Sequence, residues 1–346
     1  MKATYQKYRL QFKQASGTSR GILRIKETYF LKITDGNKIG IGECAVFKGL
    51  SYDDVPNYKQ KLHWLCNHIN ENSNFLLQEL TAFPSIQFGL EQALLSLQSK
   101  NHFELFPSKF TQSEDAISIN GLIWMGDKSF MKQQIAAKLN AGFTVIKMKI
   151  GAIDFDTEIA LLRNIRKEYS SNEIELRVDA NGAFSPKNAL EKLKILADFE
   201  IHSIEQPIKQ GQFDEMAALC EKTPIPIALD EELIGVFDVT KKQEMLQIIN
   251  PQYIILKPSL VSGFKGSEEW INLAENQQVG WWITSALESN IGLNAIAQWT
   301  YNLQTKMPQG LGTGSLFTNN IASPLEVKSG KLHYNNTINW DLSLLK

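Results

Sequence analysis

The sequence predicts an α/β protein, a modified (β/α)₈ TIM barrel preceded by a smaller α+β domain. From residue 118 to residue 312, short apolar segments alternate with amphipathic segments of helical periodicity, the pattern of parallel strands joined by crossover helices. Charged residues at the ends of the apolar segments recur every 25 to 30 residues, about the length of one strand and its helix. This region of 195 residues is close to the lower limit of about 200 residues for such a barrel, so we expect a short last unit.

The N-terminal region has a different pattern. Segments with alternating polar and apolar residues predict an antiparallel meander at residues 3–13, 22–33 and 38–43. Segments with helical periodicity follow at residues 53–80 and 83–99. We therefore expect three parts, which are an α+β domain over residues 1–115, the barrel over residues 116–315, and a C-terminal segment over residues 316–346 that packs back on the barrel or on the first domain.

The strands and helices of the barrel can be assigned in order. Strands are predicted at residues 118–123, 144–150, 174–179, 201–205, 225–230, 253–257 and 279–285, with a weak eighth strand at residues 309–313. Helices are predicted at residues 127–140, 156–169 and 185–199. The last of these has a good start, with Ser185 as N-cap and Pro186 at the first helical position.

Composition favours a cytoplasmic protein that acts on a small molecule. Of 346 residues, 43% are hydrophobic and 21% are charged, as in ordinary globular proteins, and the net charge of −1 gives no reason to expect nucleic acid or a membrane as partner. The three cysteines are widely separated and form no CxxC pair, which fits a reducing compartment. No apolar run approaches the roughly 18 residues of a membrane span. The oligomeric state stays open.

Six charged residues end consecutive predicted strands. They are Lys147 and Lys149, Asp179, Glu205, Asp230 and Lys257. In a parallel barrel the C-terminal ends of the strands meet at one mouth, where barrel enzymes carry their active sites. We therefore expect three carboxylates and three lysines around one cavity.

The three carboxylates suit a hard divalent cation. Asp179, Glu205 and Asp230 have no histidine or thiolate near them in the sequence, which favours Mg²⁺, or else Mn²⁺, over zinc. Three such ligands leave coordination positions open for a substrate carboxylate. Any one of these acids could instead be a helix cap or a surface charge, but that explanation fails for three at regular spacing.

The lysines are candidate catalytic groups. Lys147 and Lys149 are two residues apart on one strand and point to the same side, here inward. We expect a nearby positive charge and a metal ion to lower a lysine pKa toward working pH, which makes a general base. A lysine that snorkels at a strand end could explain Lys149 alone, but it explains the pair poorly. Lys257 approaches the same cavity from the opposite side.

Two polar residues flank Asp179. Arg177 lies two residues earlier and shares its inward direction, so its guanidinium could grip or stack on a substrate. Asn181 lies two residues later and either orients a neighbouring ligand or simply forms part of the Asn-Gly turn. A metal ion with a lysine base then implies removal of a proton α to a carboxylate, with the charge stabilised by the cation.

The motifs KMK, DAN, EQP, DE and KP, in this order, resemble the enolase superfamily, in the branch with a lysine on either side of the site. The resemblance covers residues 119–314, and the α+β region before them looks like the capping domain of that family. It implies that Lys149 is the base and Lys147 its partner, that Lys257 is the second lysine, and that the three acids bind the metal. Cap loops at residues 17–20 and 47–52 would close over the site.

Within this branch, four features resemble the o-succinylbenzoate synthases. They are the arginine of LRVDAN, the segment KPSLVSG, the serine-containing TSALES and the first strand SINGLI. The segment GLGTG lacks the acidic pair of dipeptide epimerases, so its backbone, for example at Gly312, could meet a carboxylate, as could Ser285. The resemblance thus implies Mg²⁺-dependent syn-dehydration of a cyclohexadiene carboxylate in menaquinone biosynthesis. Racemisation of N-acylamino acids or epimerisation of dipeptides remains the alternative, and a barrel without catalysis is disfavoured by the intact charged set.

Overall fold

The computed structural model describes residues 1–18 and 21–343. Its N-terminal part is an antiparallel sheet covered by helices. The sheet has the order β1 (Lys2–Thr18), β2 (Gly21–Asp35) and β3 (Lys38–Cys44). The helices are α1 (Tyr58–Asn67), α2 (Ser73–Glu79) and α3 (Pro84–Gln98). We call β1–β3 and α1–α3 the cap domain.

Close packing of α3 on β3 depends on two glycines. A Cβ atom at Gly40 would lie 2.0 Å from the carbonyl oxygen of Ala93, and one at Gly42 would lie 2.0 Å from that of Gly89. Any side chain at these positions would push the helix away from the sheet. The alternating positions of β2 that face α3 supply the apolar side chains of this layer, among them Leu31 and Ile33, which are fully buried.

The larger part alternates strands and helices. The strands are β4 (Ile117–Ser118), β5 (Gly121–Ile123), β6 (Val145–Lys149), β7 (Glu175–Asp179), β8 (Ile201–Glu205), β9 (Ile227–Leu229), β10 (Tyr253–Leu256) and β11 (Gly280–Ile283). The helices are α4 (Lys128–Asn140), α5 (Phe155–Glu168), α6 (Pro186–Ala197), α7 (Phe213–Lys222), α8 (Val239–Ile249), α9 (Gly263–Asn276) and α10 (Asn290–Asn302). Strands β5 to β11 form one parallel sheet in chain order, which confirms the predicted fold class.

The eighth strand of the barrel is shorter than predicted. Only Gln309 and Gly310 pair with their neighbours, in isolated parallel bridges to Ile119 and Thr284 on the two sides of the gap. The Gln309 side chain accepts a hydrogen bond from the backbone N–H of Ile283, at 2.7 Å, and so takes the place of a ladder bond. The barrel is therefore closed by the backbone of Gln309 and Gly310 and by the side chain of Gln309, and residues 311–313 are irregular.

The predicted first strand is divided between two sheets. β5 lies in the barrel, whereas β4 pairs with the C-terminal hairpin formed by β12 (Leu325–Lys328) and β13 (Lys331–Tyr334). The C-terminal region also contacts the cap domain, because Tyr8 donates a hydrogen bond to the Asn319 carbonyl and Phe12 bridges Phe317. The proposed domain limits at residues 115 and 315 stay predictions.

Within residues 1–18 and 21–343, the model contains no helix with the length and apolar character that a membrane crossing requires.

Candidate active site

The charged residues of three adjacent strands lie in rows across the barrel. Lys149 is the register partner of Asp179, and Asp179 is the partner of Glu205, so the last residues of β6, β7 and β8 form one layer. Lys147 and Arg177 form the layer below. Successive side chains of a strand point to opposite faces, so residues that are in register on neighbouring parallel strands point to the same side, here the barrel interior. Lys149, Asp179 and Glu205, which the sequence places at strand ends, therefore lie side by side at the C-terminal ends of β6, β7 and β8.

Each of the three predicted metal ligands is paired with a lysine. Lys147 Nζ lies 2.6 Å from Glu205 Oε2 and 3.3 Å from Asp179 Oδ2, and Lys149 Nζ lies 2.7 Å from the same Asp179 oxygen. Lys257 forms an ion pair with Asp230 and lies 3.9 Å from Glu205 Oε1. The structure thus brings all six charged residues into one connected network.

The carboxylates do not form a ready-made metal cluster. In the part of the chain that the structure describes, no three acidic, histidine or cysteine side chains stand in an arrangement that could hold an ion. The donor chemistry nevertheless fits a hard cation, because the network holds three carboxylates at neighbouring strand ends and Glu205 Oε1 is buried with no hydrogen-bond partner. A buried carboxylate oxygen without a donor is costly unless a cation or another donor satisfies it.

Burial and opposite charges set the protonation of this network. Burial raises the pKa of Glu205 to about 8, and Asp179 adds to the rise. Burial would also raise the pKa of Asp179, but Lys149 and Lys147 outweigh it and hold that pKa far below its usual value. Asp179 is therefore firmly ionised, whereas burial opposes the ionisation of Glu205.

Burial and nearby carboxylates act in opposite directions on the pKa values of Lys147 and Lys257. Burial by itself would lower the pKa of Lys147, but Glu205 and Asp179 raise it above its ordinary value. The pKa of Lys257 is raised in the same way, since Asp230 and Glu205 outweigh the burial of its ammonium. The positive charge of Lys257 does lower the pKa of Lys147, as predicted for a neighbouring cation, but Glu205 and Asp179 outweigh it.

Asn181 joins Lys149 to a further acid. Its Oδ1 accepts a hydrogen bond from Lys149 Nζ at 2.6 Å, and its Nδ2 donates to Glu231 Oε1 at 3.0 Å. The residue has a φ of 44°, in the left-handed region that asparagine tolerates. The turn conformation therefore aims the amide at Lys149, and the role of Asn181 in orienting a metal ligand stays a prediction.

Sequence analysis missed Gln206, which joins two strand ends. Its Oε1 accepts hydrogen bonds from the backbone N–H groups of Asp230 and Glu232, at 3.2 and 3.3 Å. Its Nε2 donates to Glu232 Oε2 and to the Ile208 carbonyl, at 2.9 and 3.0 Å. Because Gln206 is fully buried and directly follows Glu205, it fixes the end of β8 against the end of β9. The only sequence signal was its place in the EQP motif.

A cavity lies above this network, between the barrel mouth and the cap domain. Its charged and amide side is formed by Lys147, Lys149, Asp179, Asn181 and Lys257. The opposite side comes from the end of β11 and the closing segment, with Thr284, Ser285, Ala286, Leu287, Gly310, Gly312 and Thr313. The remaining lining residues are Leu23, Phe47 and Leu50 of the cap domain and Asn120, Leu122 and Trp124 around β5.

The predicted residues Ser285 and Gly312 both line the cavity. Ser285 Oγ lies 2.5 Å from Thr313 Oγ1, which makes a hydroxyl pair that sequence analysis had not identified. A Cβ atom at Gly312 would lie 3.3 Å from Ile119 Cδ1, so a side chain there would crowd the first strand. Thr313 could have been suspected from its place between glycines in GLGTG.

The structure corrects the expectation for Arg177. This residue is fully buried but is absent from the cavity lining, and its guanidinium packs on the Trp282 ring at 4.7 Å from the centroid. It also donates to Glu175 Oε1 at 2.7 Å and to the Pro308 carbonyl at 3.0 Å. Arg177 points inward as predicted, but its side chain is directed to Glu175, Pro308 and Trp282, whereas Lys147 in the same layer lines the cavity. It therefore supports the barrel interior and does not reach the cavity.

The two predicted cap loops have different outcomes. In the loop at residues 47–52, Phe47 and Leu50 line the cavity and Tyr52 packs edge-on against Phe237, with ring centroids 5.0 Å apart. In the loop predicted at residues 17–20, the first two residues belong to β1, and Ser19 and Arg20 lie outside the described residues.

Comparison with known proteins adds two family matches. The model described as "Enolase C-terminal domain-like" matches residues 131–337, and the model described as "MenC, N-terminal domain" matches residues 1–97. The two matches together span most of the barrel and most of the cap domain.

Individual relatives agree with these matches. The o-succinylbenzoate synthase of Desulfotalea psychrophila is 47% identical, over 96% of this chain and 98% of its own length. The crystal structure of MenC from the same organism superposes with a TM-score of 0.86 at 44% identity, over 96% of this chain and 99% of that one. A dipeptide epimerase from Enterococcus faecalis, solved with Mg and a dipeptide, has a TM-score of 0.83 at 17% identity over 96% of each chain, and so shares the fold.

Proposed function

The chain belongs to the enolase superfamily, and from this premise we propose that it is an o-succinylbenzoate synthase, a hydro-lyase of menaquinone biosynthesis. The reaction is the syn-dehydration of 2-succinyl-6-hydroxy-2,4-cyclohexadiene-1-carboxylate to o-succinylbenzoate. The observation that carries the proposal is the 47% identity to a synthase along 96% of the chain. The substrate is a small carboxylate, and neither nucleic acid nor a membrane is involved.

Lys149 is the proposed base. It lines the cavity, and its Nζ is held between Asp179 Oδ2 at 2.7 Å and Asn181 Oδ1 at 2.6 Å. In the proposed reaction its neutral amine takes the proton α to the ring carboxylate, and the resulting ammonium returns a proton to the departing hydroxyl, which leaves as water. One lysine serves both steps because both groups leave from the same face of the ring. Loss of water makes the ring aromatic, which drives the second step.

Lys147 and Lys257 are proposed to hold charge. Both line the cavity and both have a pKa above the ordinary value of lysine, so they stay protonated during the reaction. Lys257 approaches from β10, whereas Lys147 and Lys149 are on β6, so the substrate lies between positive groups on two sides. An ammonium on the far face stabilises the negative charge that proton removal creates.

Asp179, Glu205 and Asp230 are the proposed ligands of Mg²⁺, or of Mn²⁺ in its place. A cation held there would supply positive charge to the substrate carboxylate, which gains negative charge when the α proton leaves. Asn181 is proposed to keep Lys149 directed at the substrate while Asp179 binds the cation. The unpartnered Glu205 Oε1 supports this ligand set.

The neutral side of the cavity suits the succinyl side chain. Ser285, Thr313 and the backbone at Gly312 offer hydrogen-bond donors without a competing carboxylate among the lining residues on that side. Hydroxyl and backbone N–H donors bind a carboxylate without adding a further buried charge. We propose that they bind the distal carboxylate of the substrate.

Absorbance of the cyclohexadiene substrate gives the direct test. Enzyme with Mg²⁺ is expected to remove the diene signal rapidly, and enzyme treated with a chelator is expected to remove it only after Mg²⁺ is restored. A folded, metal-loaded protein that leaves the signal unchanged would contradict the proposal.

Racemisation of N-acylamino acids is the second candidate. It is favoured by the position of Lys149 and Lys257, which line one cavity from different strands and could each handle one enantiomer. Solvent deuterium should enter the α position of an N-succinylamino acid if this activity exists. A dedicated dehydratase is expected to show almost none.

A cytoplasmic location is also proposed. Cys44, Cys66 and Cys220 are all free thiols, which fits a reducing compartment.

A further inference from the structure

Two acids of the cap domain bind the first turns of barrel helices. Glu43, at the end of β3, accepts hydrogen bonds from the backbone N–H groups of Ser289 and Gly292, each at 3.0 Å, at the start of α10. Glu91, on α3, accepts from the N–H groups of Phe264 and Lys265, at 2.6 and 3.3 Å, at the start of α9. Carboxylates are favoured at helix N-termini because the first N–H groups lack partners within the helix.

Only one of these two contacts lies between segments that line the cavity. Glu43 is followed after three residues by Phe47, and Ser289 is preceded by the lining residues Ser285, Ala286 and Leu287. The residues of neither contact line the cavity themselves, but the Glu91 contact is farther from it along the chain, because the nearest lining residue before Phe264 is Lys257 and none lies on α3. Both acids therefore bind the N-terminus of a barrel helix, but the segments that Glu43 joins lie next to the cavity lining.

Glu43 is bound more completely than a simple helix cap. Beyond the two backbone groups, its carboxylate accepts from Ser289 Oγ at 2.5 Å and from Thr28 Oγ1 at 2.8 Å. The residue is fully buried. Oε1 accepts from Thr28 of the cap domain and from the Ser289 N–H, and Oε2 accepts from Ser289 Oγ and the Gly292 N–H, so four donors hold the carboxylate in one orientation.

Further buried charges surround Glu43. The ammonium of Lys26 is buried without a hydrogen-bond partner, faces the charges of Glu43 and Glu288, and lies 5.9 Å from the centre of the Phe47 ring. Glu288 is fully buried and its Oε1 lies 2.6 Å from Ser259 Oγ. An apolar contact of similar volume would hold two domains together at less desolvation cost, so charges buried here point to a need for one fixed geometry.

We propose that Glu43 is a positioning residue for the substrate, because it sets the separation between the cap-domain side of the cavity and the β11–α10 side. It does not touch the reacting atoms. The cap-domain side carries Phe47 and Leu50, and the β11–α10 side carries Ser285 to Leu287. This inference rests on the proposed function for its substrate, but the contact itself is independent of it.

The experiment compares Glu43→Gln with Glu91→Gln. In each variant an NH₂ group replaces one oxygen of the carboxylate. This NH₂ group cannot accept the hydrogen bond of the backbone N–H group that it faces. Both are expected to lower the melting temperature. Only Glu43→Gln is expected to raise KM for the cyclohexadiene substrate, by about tenfold or more, with kcat and Mg²⁺ affinity changed little. KM equal to that of wild type in both variants would overturn the proposal and leave Glu43 a purely structural cap.

Hydrogen exchange gives a readout without substrate. Glu43→Gln should increase amide exchange in residues 44–50 and 285–292 together, whereas Glu91→Gln should increase it around residues 263–268. If the wild type does not convert the cyclohexadiene, the proposed function fails. Amide hydrogen exchange then tests by itself whether Glu43 positions the two segments. Unchanged exchange in both segments of Glu43→Gln would overturn it.

A milder variant covers the case in which Glu43→Gln does not fold. Ser289→Ala removes the hydroxyl that lies 2.5 Å from Glu43 Oε2 but keeps the backbone contact. Ser289→Ala is expected to raise KM for the cyclohexadiene substrate by a smaller factor than Glu43→Gln does. A stable Ser289→Ala protein with unchanged KM and unchanged exchange at residues 44–50 would count against the proposal.

Discussion

The two sides of the cavity are built in different ways. The charged side consists of side chains at the ends of β6, β7 and β10, held by ion pairs such as that of Lys147 with Glu205 at 2.6 Å. The neutral side consists of loop residues after β11 and of the segment that closes the barrel, held by a hydroxyl pair and by backbone contacts. The charged side therefore holds the proposed reacting groups at the ends of regular strands, and the irregular segments of the neutral side shape the space around the substrate.

The charged side is also the more strongly coupled one. Asp179 interacts with two lysines, and Glu205 with two, so the removal of one member changes the charge balance of the others. The Ser285 and Thr313 pair has no charged member, so its loss should act locally. Substitutions on the two sides should therefore differ in size and in the quantity that they change.

The largest effect is expected for Lys149→Ala. It removes the proposed base and should lower kcat by about 10⁴-fold, the upper range for general acid–base catalysis, while Mg²⁺ binding persists. Steady-state kinetics and calorimetric titration with Mg²⁺ measure the two quantities. Lys209→Ala, an exposed lysine after β8, is the control. Appreciable turnover by Lys149→Ala would remove this lysine from the mechanism.

A smaller effect is expected for Gln206→Met. The side chain keeps its length but leaves the N–H groups of Asp230 and Glu232 without their acceptor. The Mg²⁺ affinity should fall by about 10- to 100-fold, as for other residues that orient metal ligands. Gln212→Met, which loses one surface hydrogen bond of the same loop, is the control. Equal Mg²⁺ affinities in the two variants would show that the end of β9 keeps its geometry without Gln206.

Thr313→Val tests the neutral side. The substitution keeps the shape of the residue and removes the hydroxyl that pairs with Ser285. We expect KM for the substrate to rise by about two- to tenfold with kcat nearly constant, since one neutral hydrogen bond contributes about 0.5–1.5 kcal/mol. Thr318→Val, at a hydroxyl outside the cavity lining, should leave KM unchanged. A fall in kcat without a change in KM would place Thr313 with the charged side instead.

The smallest effect on activity is expected for Arg177→Met. This variant loses the hydrogen bond to the Pro308 carbonyl and the contact with Trp282, so the free energy of unfolding should fall by about 1–3 kcal/mol. KM and kcat of the folded enzyme should stay near wild type. Denaturant unfolding and kinetics measured on the same sample separate the two. A stable variant with a large increase in KM would return Arg177 to the substrate site.

The charged site was accessible from the sequence because strands have a period of two and the units repeat at regular spacing. These two rules identified Lys147, Lys149 and the three acids, and the register then joined them in rows. The same rules gave the inward side for Arg177, but they do not give the direction of its long side chain, which contacts the Pro308 carbonyl and the Trp282 ring. The pKa of Lys147 could not be predicted either, because it depends on distances to Glu205 and Asp179.

The sequence by itself determined the fold class, the order of the barrel units and the charged residues of the site, because periodicity and spacing are properties of the chain. The tertiary structure alone decided how the barrel closes at Gln309 and Gly310, which hydroxyls pair on the neutral side of the cavity, and how Glu43 joins the cap domain to α10. These contacts connect residues far apart in the chain, up to 249 positions for Glu43 and Gly292, and no local pattern encodes them. Long-range packing fixes them.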